Sequence, residues 1–403
     1  SKVISIAGKD RSAIMMGGKN PDLVLYYNNI DRFITSDYYV DTLPKYINEF
    51  NNDLRFETYR DSLWTKILPD SIYLKHSRLD NFTGEVDSYH MDHDSITKTK
   101  IKTNNYKPVF PISFDHNKKP GAEILGTPWF DDKLVDLSKL ILDEENLGTD
   151  DNPDLFFIGF SAMDYVIHNY GPFSQETMDY LIRLDIQLNK LITHIDNTIG
   201  LEHVEFVLTS DHGGLPLPEF LPQLNLSGGR INRDNLREAY DWIEDEISEY
   251  YGENLFYKDF TNYYLFHDKL KKKKIEASDL ENIIKKYLEM VDGVKAVLSK
   301  TEIISSKKTD NVSLRLKNML HVEQSADVFV ILEPGYLYRN PYGTSHGSPY
   351  DYDSHVPLLF VKEGRPKTEI KVQAETVDIA PTILNLLNIK TDYPFEGKVL
   401  KIQ

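Results

Sequence analysis

Leu155-Phe-Phe-Ile158, then Ser174 ahead of Leu181, Leu184, Leu188, Leu191 and Ile195, then Gly200 and Val204-Glu-Phe-Val-Leu208, is the stretch that decides the fold. The run 155–158 is wholly apolar, as expected for a central parallel strand covered on both faces. Ser174 can cap a helix, the leucines recur at near-helical steps, and Gly200 stops the pattern. Val204 to Leu208 reads as the next strand. Strand, helix and strand in this order predict a right-handed crossover within an α/β sheet.

The same reading extends upstream. A helix is expected over Lys133 to Leu147, with Leu134, Leu137, Leu140 and Leu142 on its apolar face. Val3 to Ala7 reads as a buried strand that Gly8 breaks, followed by Lys9-Asp10-Arg11 and a short helix. Leu23 to Tyr27 is a second strand, and Thr42 to Phe50 has helical spacing. A strand-to-loop-to-helix unit starting at residue 3 predicts further partners upstream of Ser1. Downstream, the sheet is expected to resume at Asp327 to Leu332 and at Val356 to Val361, with a last helix over Asp378 to Leu387. The expectation is one α/β domain over residues 1–403, with a central, mostly parallel sheet and helices on both faces. Two long excursions interrupt it. Residues 57 to about 126 are loop-rich. Residues 214 to about 325 carry an acidic helix near 234–250 and another near 279–292, where Ser278 and Glu281 fit a capping box. Lys271 to Lys274 reads as a solvated helix end.

Composition narrows the chemistry. The chain has 403 residues, 40% of them hydrophobic, and a formal net charge of −17. Such a field disfavours nucleic acid and anionic membranes as partners, although a phosphate ester can still bind where metals or local cations reverse the field. There is no cysteine, which excludes disulfides, thiolate metal sites and cysteine nucleophiles. Any metal must be held by His and carboxylate. No apolar run reaches membrane-spanning length. The opening Ser-Lys-Val-Ile-Ser-Ile-Ala has no signal-peptide character.

Three clusters follow predicted strands, where open α/β sheets place their sites. Asp164 and His168, four apart, can face one metal; the alternative is a helix-capping Asp beside an unrelated His. Asp211-His212-Gly213-Gly214 follows the strand at 204–208; the alternative is an ordinary turn. Gly343-Thr-Ser-His346-Gly-Ser-Pro-Tyr-Asp-Tyr-Asp-Ser-His355 precedes the strand at 356–361; the alternative is a loop with two incidental histidines. Together they supply two Asp and up to four His, a hard and borderline donor set that suits zinc. Lys9 and Arg11 could clamp a phosphoryl group, or form a surface charge cluster with Asp10. His90-Met-Asp92-His93-Asp94 reads as a solvated acidic loop.

These motifs jointly resemble the alkaline phosphatase superfamily, as does Val377-Asp-Ile-Ala-Pro-Thr-Ile-Leu-Asn-Leu-Leu near the end. Gly8-Lys-Asp-Arg11 narrows the resemblance to the bacterial phosphate-irrepressible alkaline phosphatases, with nucleotide pyrophosphatases/phosphodiesterases as relatives. The resemblance implies two zinc ions, one on Asp164, His168 and His346 and the other on Asp211 and His212. It implies that Lys9 and Arg11 contact phosphoryl oxygens, that His355 is structural, and that the protein is exported to the periplasm or cell surface. It also implies a further Asp ligand and a Thr nucleophile in a Thr-Gly-Phe-Pro-like stretch, expected before Ser1 because residues 1–403 contain none. The expected activity is phosphomonoester hydrolysis, with this chain alone inactive. A nucleotide pyrophosphatase or phosphodiesterase is the near alternative, and a non-catalytic metal-binding domain the alternative of another class.

Overall fold

Alternating side chains at the start of the chain fix the centre of the molecule. In the computed structural model, which describes residues 1–85, 109–113, 119–259, 261–339 and 341–402, β1 (Val3–Ala7) is followed by α1 (Asp10–Gly17), β2 (Leu23–Tyr27) and β3 (Phe33–Ile34). Ile4 and Ile6 of β1, with Leu23 and Leu25 of β2, point into the larger core. Ala7 and Val24 point the other way, against Ala13 of α1. Two faces are therefore covered, as a parallel sheet requires. The segment His90-Met-Asp92-His93-Asp94 lies outside the described residues.

The larger core is closed by α2 (Pro128–Glu144), which begins five residues before the predicted Lys133 because Pro128 is accommodated in its first turn. Next come β4 (Leu155–Gly159), α3 (Ala162–Tyr170) and α4 (Gln175–Thr198). Ser174 caps α4 as expected, its side chain accepting from the Thr177 N–H. β4 runs parallel to β1, and β1 parallel to β2, with β3 antiparallel at the edge, so the order is β3-β2-β1-β4.

Two expectations about this sheet need correction. β5 (Phe206–Thr209) is the strand predicted after α4, yet among the described residues it pairs with the strand Leu358–Val361, antiparallel, and not with β4. An apolar run specifies a buried strand but not its neighbour. The segment 327–332 does not resume the sheet. It forms the inner part of a separate antiparallel sheet that follows α5 (Arg233–Tyr251) and is built from β6 (Phe256–Asp259), β7 (Asn262–Leu265), β8 (Val294–Ser299) and β9 (Val328–Leu332), in the order β8-β9-β7-β6. Val328 and Val330 pack with Ile243 and Ile284 of the helices, while Phe329 and Ile331 pack on the opposite face with Ile303 and Leu316. Burial on both faces gives the same apolar run as a central parallel strand, so the pattern could not separate the two.

The predicted capping box is also displaced. The helix Ala277–Leu288 starts after Glu276 with no side-chain cap, placing Ser278 inside it, and the box forms instead at Ser299 and Glu302. Four apolar residues, Leu280, Ile283, Ile284 and Leu288, set that helix's phase. The strand predicted at 356–361 is β10 (Leu358–Val361), and the last helix is Ile379–Leu386.

Between α2 and α4, Asp131 is buried and accepts a hydrogen bond from the Tyr180 hydroxyl. Burial pushes its carboxyl up to about 7, against the lowering effect of Tyr180. A carboxyl raised in the folded state binds its proton more tightly there, so its contribution to stability is present at low pH and is lost as pH rises through about 7. Asp131→Asn keeps an acceptor for Tyr180 without the charge. Thermal unfolding of Asp131→Asn against the parent is expected to show a gain at pH 8, by about 2 °C or more, that shrinks at pH 5.

Candidate metal centre

Each candidate ligand sits just past the carboxyl end of a strand or in a loop facing those ends. Ser161 follows β4 and opens α3, whose first turn carries Asp164 and whose last turn carries His168. Their i, i+4 spacing puts both on one face. Asp211 and His212 follow β5, and His346 lies in the loop between β9 and β10.

The three groups expected to share one metal meet. Ligand atoms of Asp164, His168 and His346 all lie within 4.8 Å of one another. Asp164 uses both oxygens: Oδ2 is 3.5 Å from His168 Nε2, and Oδ1 is 3.3 Å from His346 Nε2. Two ligands on one tetrahedral zinc, each about 2.0–2.1 Å from it, stand about 3.4 Å apart. The spacing and the carboxylate-plus-imidazole chemistry therefore fit the ion. His212 adjoins the group, with Nε2 3.7 Å from Asp164 Oδ1, and its ring stacks on that of His346 at 3.4 Å. Asp211 stands outside the trio and is exposed, with Oδ2 3.5 Å from His212 Nε2. His355 is exposed at the end of the turn Asp351–Ser354.

Hydrogen bonds orient the rings. His168 Nδ1 lies 2.8 Å from the Thr344 carbonyl, and His212 Nδ1 lies 2.8 Å from the Gly213 carbonyl. A carbonyl only accepts, so both Nδ1 atoms carry the proton and both Nε2 lone pairs are left to face the cluster. Gly213 is required by close backbone approach. A Cβ at Gly213 would lie 2.2 Å from the Tyr352 carbonyl oxygen. The Gly213 N–H donates to the Asp353 carbonyl at 2.7 Å and the Gly214 N–H to the Tyr352 carbonyl at 3.0 Å. The Asp-His loop is thus bolted to the segment that follows His346.

Electrostatics favour an ionised Asp164. Burial opposes its charge, but the His346 hydrogen bond, the His168 imidazole and Lys9 outweigh it and hold the carboxyl well below the usual range. Burial pushes His168 down, against the pull of Asp164, which favours the neutral ligand form. Lys9 Nζ forms an ion pair with Asp164 Oδ2 and sits 5.1 Å from the centre of the Tyr165 ring. Arg11 is largely exposed, with Asp10 3.9 Å away. Lys9 and Arg11 both line a cleft of about 380 Å³ with Tyr26 and Tyr165.

Sequence reasoning overlooked Thr344 and Arg339. Thr344 is buried; its hydroxyl donates to the Leu215 carbonyl at 2.6 Å, and its carbonyl accepts from Arg339 Nη1 at 3.0 Å as well as from His168. Thr344 stood inside a quoted motif without a role, and nothing local marks Arg339.

If this cluster binds zinc, the ion stabilises the folded chain by mass action. Zinc is expected to raise the melting temperature of the parent by a few degrees. Asp164→Asn and His346→Ala should abolish the rise, and His355→Ala should keep it, as read by thermal unfolding with and without chelator.

The chain is similar to several known proteins. A sequence profile for type I phosphodiesterase / nucleotide pyrophosphatase matches residues 32–355. Alkaline phosphatase PafA of Elizabethkingia meningoseptica is 28% identical over 405 residues, a match covering 99% of this chain and 70% of that protein. Alkaline phosphatase PhoV of Synechococcus elongatus is 28% identical over 402 residues, again covering 99% of this chain and 70% of the relative. The crystal structure of wild-type PafA superposes with a TM-score of 0.85 at 27% identity, covering 99% of this chain and 74% of that one. The chain therefore belongs to the type I phosphodiesterase / nucleotide pyrophosphatase family of phosphate-ester hydrolases.

Proposed function

We propose that this chain carries the metal-binding and phosphate-binding side of a zinc-dependent phosphomonoester hydrolase. The observation that carries the reading is the Asp164-His168-His346 cluster with Lys9 paired to the same carboxylate. Bound zinc would supply Lewis-acid stabilisation of the attacking and leaving oxygens. Asp164, His168 and His346 would hold one ion, and Asp211 and His212 the other. Lys9, released from Asp164 when a cation neutralises that carboxylate, would turn its ammonium to a phosphoryl oxygen, and Arg11 would offer its planar fork to the same group. Export to the periplasm or cell surface goes with this reading through the resemblance. Among the described residues no helix is long and apolar enough to cross a membrane.

The nucleophile in this reading is a Thr hydroxyl supplied from sequence before Ser1. Its oxygen bonds to phosphorus as the ester oxygen leaves, and water then releases phosphate. Two observations support that placement. No Thr-Gly-Phe-Pro-like stretch occurs in residues 1–403. β4 and β5 each have a strand partner on one edge only, among the described residues. The two excursions would wall the site, since the Gly84 carbonyl accepts from the Gly343 N–H at 2.7 Å and Arg230 donates to the Gly343 carbonyl at 2.8 Å.

A phosphodiesterase is the second reading, favoured by the family profile. Assays with p-nitrophenyl phosphate and bis-p-nitrophenyl phosphate separate the two. The 403-residue chain with zinc should turn over neither, and the polypeptide extended by its native upstream sequence should prefer the monoester. In that form Arg11→Ala is expected to lower monoester kcat/KM by about tenfold or more, the loss of one charge-assisted contact, and diester turnover less. Zinc-dependent monoester turnover by residues 1–403 alone would overturn the placement of the nucleophile.

A further inference from the structure

We propose that Arg230, held by Glu219, is a positioning residue that sets the geometry of the His346 and His168 ligands from the far side of the loop. The inference rests on the reading that these histidines hold zinc. After the two-residue strand Tyr336–Leu337, the chain to His346 has no regular strand or helix of its own among the described residues. Its position depends on what grips its backbone.

Arg230 does so at two points. Its Nη1 donates to the Arg339 carbonyl at 2.9 Å and to the Gly343 carbonyl at 2.8 Å. The other side of the guanidinium is locked by Glu219, with Nε to Oε1 at 2.7 Å and Nη2 to Oε2 at 2.9 Å. The Arg230 side chain is only 10% exposed, so this fork works at low dielectric with little competition from water. Gly343 is held on its other side by the Gly84 carbonyl and adopts φ 73°, a left-handed conformation that suits glycine.

The next residue passes this constraint to the ligands. The Thr344 N–H donates to the His168 carbonyl at 2.9 Å, and the Thr344 carbonyl receives His168 Nδ1 at 2.8 Å. Two residues further on is His346. Arg230 therefore touches no ligand, yet it fixes the backbone that orients one imidazole and carries another. Groups that orient ligands typically change metal affinity 10–100-fold when removed. Lysine cannot replace it, because a point charge cannot bind a carboxylate in bidentate fashion and two carbonyls at once.

The test is zinc affinity by competition with a chromogenic chelator, together with the visible spectrum of the cobalt(II)-loaded protein, on the parent, Arg230→Ala, Arg230→Lys and Glu219→Gln. The expected result is a loss of zinc affinity of about 10–100-fold in Arg230→Ala. A smaller loss is expected in Arg230→Lys and Glu219→Gln, with an altered cobalt band in each. Metal-free unfolding curves identify any variant that fails to fold, and Glu219→Gln, which keeps the arginine, then carries the test. Parent-like zinc affinity and cobalt spectrum in the folded variants would overturn the inference. Absence of zinc binding by the parent would instead overturn the reading of the metal centre itself.

Discussion

One carboxylate organises the site. Asp164 faces Lys9, His168, His212 and His346, which arrive from four separated parts of the chain. A half-buried carboxylate is costly to desolvate unless cations or donors surround it. The fold meets that demand by ending β1, β4 and β5 on the same side and laying the His346 loop across them. Asp164 also lies in the first turn of α3, where the helix dipole favours negative charge. A bound cation would satisfy the same carboxylate and free Lys9, so metal occupancy and the availability of the phosphate-binding ammonium are linked through one group.

That linkage explains how a chain with net charge −17 can handle an anionic ester. The overall field repels phosphate, and only a local reversal of sign can hold it. Lys9 and Arg11 line one cleft, beside a carboxylate that would be neutralised by its metal. Around this centre the polar supports are largely backbone carbonyls, at Thr344, Gly213, Arg339 and Gly343. Carbonyls fix the tautomer and tilt of a ring without adding charge to the site.

Much of this was legible in the residues. The β1, β2 and β4 strands stood out as short apolar runs; β1 and β2 are largely buried, whereas β4 is partly buried throughout. The cap at Ser174 followed from the residue type. The trio Asp164, His168 and His346 came from the resemblance carried by its motifs, since the residues alone also allowed a capping Asp and incidental histidines, and the structure brings the three side chains together. Strand neighbours were not legible: β5 and β9 have the composition expected of a central strand, yet their hydrogen-bonding partners are set by tertiary packing rather than by local pattern. The supporting residues escaped for a related reason. Arg230 and Arg339 act through carbonyls far away in sequence, and no local spacing records such a contact. Nor does local spacing record that the backbone at Tyr352 leaves no room for a Cβ at Gly213.

The central claim is that Asp164, His168 and His346 form a zinc site. Anomalous diffraction above and below the zinc absorption edge, from crystals grown with zinc, tests it most directly. The account predicts a peak within about 2.0–2.2 Å of an Asp164 oxygen and of Nε2 of both His168 and His346. Fully occupied zinc elsewhere, with none between these three side chains, would contradict it.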